Sequence, residues 1–186
     1  MPARGVRSRR LARTQGAARV PRRAAAGGEG CTGTGGAARR ARRVTLIVDA
    51  APLVALGDSR DRLHGAVGDL MRAEGGDLVV PAPVSAEAGY LIRRRGSALA
   101  ARAFLRDVAA GRFRVEGLTA DEHGTVARLD EQYAALDLGL ADLSVVILAH
   151  RFRTRRLLTF DERDFRAVTQ LSGGSFTLLP RDNAGP

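Results

Sequence analysis

Apolar residues begin to recur in an ordered way at Val44, and from there short apolar runs alternate with longer stretches of helical period. The short runs read as strands: VTLIV at 44–48, DLVVP at 77–81, RFRVEG at 112–117, RLLTF at 156–160 and SFTLL at 175–179. Between them the pattern predicts helices over 52–57, 60–74, 84–95, 98–110, 120–136 and 141–151, with a short turn after Asp161. This alternation is the signature of an α/β domain with a largely parallel sheet. The run LSVVILAH is ambiguous, because a continuous apolar run fits a buried strand as well as a buried helix. Asp142 just before the run suits an N-cap or first turn, and Arg151 and Arg153 suit a helix C-terminus, so the run is read as a helix.

Ahead of Val44 the periodicity is missing. Residues 1–43 are Ala, Gly and Arg with few large apolar side chains, as in GAARVPRRAAAGGEG, and cannot bury enough surface to fold alone. The expectation is a disordered extension followed by one folded domain over 44–186. A basic arm that binds nucleic acid and a start codon assigned too early both account for such an extension, and the abrupt onset of pattern at Val44 favours the second.

Charge changes the picture once it is located. The formal net charge is +10, yet residues 1–43 hold twelve arginines against Glu29 alone, a net of +11. The rest holds 18 arginines against 19 acids, a net of −1. The positive balance therefore says nothing about the surface of the folded part. The single cysteine, Cys31, lies in the extension, which excludes a disulfide framework or cysteine metal site within one chain. No apolar run approaches the roughly 20 residues that span a bilayer, and a cytoplasmic protein without a membrane segment is expected.

In a parallel sheet, ligands bind beyond the carboxyl ends of the strands, so acids there are candidates for chemistry. Asp49 directly follows the first strand, Glu87 follows the second by one turn, Asp142 opens the helix before the fourth, and Asp161 directly follows the fourth. Each has a structural alternative: a cap for Asp49 and Asp142, a helix margin for Glu87, a turn for Asp161. Asp164, three residues on, competes with Asp161. Carboxylates gathered at one edge repel unless a cation neutralises them. Magnesium or manganese suits oxygen ligands, whereas zinc ordinarily needs His or Cys, and His64, His123 and His150 show no ligand spacing. Such an ion activates water and clamps phosphodiester oxygens, so no protein nucleophile is required. Arg94 falls on nearly the same helical face as Glu87 at two turns' distance and offers a phosphate contact. The competing reading for Arg93, Arg94 and Arg95 is a solvated basic helix end.

Taken together, IVDAAPLVAL, VSAEAGYLI, LGLADLSVVILAHR and LLTFDERDF resemble the PIN domain, and most closely the VapC toxins of toxin–antitoxin pairs. The resemblance covers nearly all of 44–179. It implies a three-layer α/β/α sandwich with a central parallel sheet and a magnesium-dependent endoribonuclease acting on RNA. It also implies a homodimer and a small VapB-like antitoxin partner. Carried over by motif, Asp49, Glu87, Asp142 and Asp161 form the acidic metal site, and Thr159 matches the hydroxyl residue often found before the last acid. Two departures stand out: Ala50 and Ala51 follow the first Asp where Ser, Thr or Asn is common, and Leu143 replaces a small residue after the third acid. These departures admit a PIN-fold RNA-binding or scaffold protein with little or no catalysis as the alternative. A receiver domain would need a lysine, which the chain lacks, and DAAPLVALG offers no GxGxxG for a dinucleotide.

Overall fold

Five parallel strands form the centre of the computed structural model, which describes residues 45–74 and 76–183. The strands are β1 (Leu46–Val48), β2 (Leu78–Pro81), β3 (Arg114–Glu116), β4 (Arg156–Leu158) and β5 (Thr177–Leu179), in the spatial order β3-β2-β1-β4-β5. All four pairings are parallel, with Ile47 beside both Val79 and Leu157. Helices α1 (Ala50–Gly57), α2 (His64–Glu74), α3 (Ala82–Leu91), α4 (Ala98–Ala109), α5 (Ala120–Gln132), α6 (Leu140–Arg151) and α7 (Glu162–Ala167) flank the sheet in a three-layer α/β/α arrangement. Among the described residues no helix is long and apolar enough to cross a membrane. The expectation for residues 1–43, and the Val44 end of the first predicted strand, lie outside the described residues.

A sheet covered on both faces needs strands that are apolar throughout rather than alternating. Accordingly Leu46, Ile47, Val48, Val79, Val80, Leu157, Leu158, Leu178 and Leu179 are all fully buried. The ambiguous run is a helix: α6 is buried continuously from Leu143 to Ala149. A helix that is apolar all round belongs in the interior, which is why periodicity alone gave no face for it.

Helix ends differ from the pattern where polar side chains intervene. α2 starts at His64 rather than at residue 60, because Asp58 accepts from the Arg60 backbone N–H and Asp61 from that of Leu63. Both are local bonds that compete with helical pairing. α5 ends at Gln132, and the predicted residues beyond it form a separate 3₁₀ turn, Ala134–Leu136. Its start is fixed by a capping box in which Thr119 and Glu122 exchange backbone bonds.

The stretch predicted as the end of the third helix is different in kind. After Leu91 the chain makes a π turn, Ile92–Gly96, before Ser97 caps α4. Ile92 is 2% exposed and lies against the end of α1, where a Cβ built on Gly57 would stand 2.9 Å from Ile92 Cγ1. Glycine at 57 therefore permits the contact that holds Ile92 at the start of the turn.

Candidate active site

The strand order reverses direction at β1 and β4: the chain runs from β1 outward to β2 and β3, then returns to β4 and β5 on the other side. The crevice beyond the carboxyl ends of these two strands is the switch point at which open α/β sheets bind ligands. Asp49 follows β1 there and Asp161 lies just past β4.

Asp49 is the N-cap of α1, only 6% exposed, with Oδ1 accepting from the Ala50 N–H at 2.6 Å and Oδ2 from Thr159 Oγ1 at 2.8 Å. Burial pushes its pKa up to about 6 against these two hydrogen bonds, with the negative charges of Asp142 and Glu87 adding to the rise. Thr159, itself buried, also accepts from the Asp161 N–H at 3.0 Å. One hydroxyl thus joins the acid after β1 to the backbone after β4.

The other acids reach the same edge from separate elements. Asp142 sits in the first turn of α6, not at its N-cap, which is Gly139; its Oδ2 accepts from the Gly139 N–H at 3.0 Å. Burial raises its pKa, and the nearby charges of Asp161 and Asp164 act in the same direction. Glu87 projects from the exposed side of α3. Asp161 caps α7 by accepting from the Asp164 N–H. Asp164 is buried and accepts from Arg163 Nε at 2.9 Å.

Asp49, Glu87, Asp142 and Asp161 line one open cavity of about 750 Å³, together with Ala51, Asp61, Phe160 and the arginines Arg62 and Arg95. Asp164 is not among the lining residues, and neither is Arg94. The sequence-based position of Arg94 assumed an unbroken α-helix. A π turn advances the chain with more residues per turn, so the face above Glu87 is reached one residue later, at Arg95. Arg62 carries no signal in the sequence pattern, which extends the second helix over 60–63 where the structure has the loop leading into α2.

The donor set is all oxygen, with Asp49 poorly solvated and the remaining acids around open space. Among the described residues no three acidic or imidazole side chains converge closely enough to enclose an ion by themselves. This arrangement fits a hard cation that keeps part of its water, as magnesium does when one or two carboxylates and a substrate phosphate hold it. Of the two departures, Leu143 is 1% exposed and packs in the core, while Ala50 and Ala51 line the cavity without adding a polar group.

The family model described as PIN domain matches residues 46–171. Ribonuclease VapC26 of Mycobacterium tuberculosis is 36% identical over 135 residues, which cover 73% of this chain and 100% of that protein. The crystal structure of Mycobacterium tuberculosis VapC20, described as a sarcin-ricin loop cleaving toxin, superposes with a TM-score of 0.60 at 22% identity. The match covers 64% of this chain and 92% of that one, and at this identity it bears on the fold.

Proposed function

Because the chain belongs to the PIN domain family, we propose that it is a magnesium-dependent endoribonuclease, the toxin of a type II toxin–antitoxin pair. The observation that carries this reading is the meeting of four carboxylates from four separate elements in one cavity at the switch point of the sheet. The family's relation to a 36% identical ribonuclease supports RNA as the substrate.

In this reading Asp49, Glu87, Asp142 and Asp161 hold the ion, with magnesium preferred and manganese an acceptable substitute. When bound, the ion supplies Lewis acidity toward the phosphodiester and activates water for attack. Asp49 contributes a fixed carboxylate whose two oxygens are already oriented by Ala50 and Thr159. Thr159 keeps Asp49 and the Asp161 backbone in register, the kind of outer contact that aligns a ligand. Hydrolysis by water leaves 5′-phosphate ends. A small VapB-like antitoxin from an adjacent gene neutralises the enzyme, and the homodimer expected from the resemblance belongs to the same proposal.

The full chain is expected to cleave RNA with magnesium and to stop on addition of EDTA. Asp49→Asn and Asp142→Asn should each lower the rate by about a hundredfold or more. Gel analysis of a labelled RNA, with mass spectrometry of the product ends, measures all of this; undiminished cleavage by both variants rejects the site. The scaffold alternative predicts RNA binding without cleavage in the same assay.

A further inference from the structure

A cavity walled by Asp49, Asp61, Glu87, Asp142 and Asp161 repels a polyanion, and a single divalent ion leaves most of that charge in place. An RNA strand entering it needs cations at the wall. Two are present, Arg62 from the loop before α2 and Arg95 from the π turn after α3. Arg60 is already paired with Asp58 at 3.1 Å and Arg163 with Asp164 at 2.9 Å, while Arg93 and Arg94, without an ion pair among the described residues, do not line the cavity. Among the described residues neither Arg62 nor Arg95 makes an ion pair within 4.0 Å, and both are exposed.

The backbone carries a second, independent sign. Three arginines follow one another at 93–95, and a regular helix would present Arg94 above Glu87. The π turn, anchored by Ile92 under Gly57, presents Arg95 instead. π turns are uncommon within helices and occur often at functional sites. A guanidinium offers paired N–H donors that match two phosphate oxygens, so its position along the strand matters in a way that a diffuse charge does not.

We propose that Arg95 and Arg62 grip RNA phosphates flanking the one that is cut, fixing the strand across the acidic cavity. The proposal rests on the nuclease reading for the identity of the ligand, and its test separates the two. Wild type, Arg95→Ala, Arg62→Ala and Arg94→Ala, all as full chains, are compared in steady-state cleavage of a short single-stranded RNA with magnesium. In parallel, the same arginine changes in an Asp49→Asn background are titrated with a fluorescein-labelled RNA across a salt series, with binding read by anisotropy. Unfolding midpoints confirm that each variant is folded.

Arg95→Ala and Arg62→Ala are each expected to lower kcat/KM and RNA affinity by about tenfold. Each should flatten the slope of log affinity against log salt by about 0.7, and Arg95→Lys should restore that slope. Arg94→Ala should stay within about twofold of its parent. Equal effects of Arg94→Ala and Arg95→Ala, or none from Arg95→Ala and Arg62→Ala, overturn the proposal. A wild type that binds RNA but does not cleave it removes the nuclease reading, while the salt slopes still decide whether these arginines touch phosphate.

Discussion

Asp49 has to carry a negative charge where solvent scarcely reaches it. Folding raises its pKa from 3.8 to about 6, so between these values the folded chain holds a proton that the unfolded chain has released. Stability of the metal-free protein therefore falls as pH rises through that window, and above it the charged carboxylate costs about 3 kcal/mol. Asp49→Asn keeps the shape and removes the charge. Urea unfolding in EDTA should show the variant more stable than wild type by up to about 3 kcal/mol at pH 7, with the gain gone near pH 4. Equal stabilities at pH 7 would mean that the burial penalty is offset elsewhere. Magnesium should narrow the difference by stabilising the wild type more than the variant, since it binds the folded carboxylates. The position of the acid was legible in the sequence, at the end of a fully apolar strand, although that position equally suits the cap that Asp49 forms on α1. Its bond to Thr159 was not legible, since the partners are 110 residues apart and meet only when β1 and β4 pair.

Among the elements, α1 and the π turn depend on each other through Gly57 and Ile92. A methyl group at 57 would press on Ile92 Cγ1 from 2.9 Å, and crowding of this kind in a packed core costs about 1–3 kcal/mol. Gly57→Ala is expected to lower the unfolding free energy by that amount and to weaken RNA affinity as well, because relief of the clash moves the turn that bears Arg95. Stability from urea melts and affinity from anisotropy report the two effects separately; lost stability with unchanged RNA binding would show that Arg95 does not depend on the contact. The sequence pattern located the five strands and the six longer α-helices and read α7 as a short turn, yet it missed the π turn. Its apolar spacing before Ile92 is ordinary for an α-helix, and the contact made at the turn, Ile92 against Gly57, joins residues distant in sequence and has no local signature. The late start of α2 has a more local origin, in Asp58 and Asp61 bonding to their own loop.

For the molecule as a whole, the apolar core closes without help from the four acids, of which Asp49 alone is buried. The sheet and α6 are closed by apolar contact, so removing metal with EDTA should abolish cleavage while leaving the far-UV circular dichroism of the folded part unchanged. A collapse of that signal would instead make the ion a structural element. The α/β class and the parallel sheet were readable from strand–helix alternation, the three-layer arrangement came with the resemblance, and acids that follow parallel strands fall at one edge. The cavity wall was harder to read, since Arg62 and Arg95 reach it through a loop and a turn that have no periodic signature. The turn also bears on how relatives should be aligned. A π turn amounts to one extra residue accommodated inside a helix, so a relative with an unbroken third helix should carry its equivalent cation opposite Arg94, and a gap placed within 92–96 would bring the two guanidinium groups into correspondence.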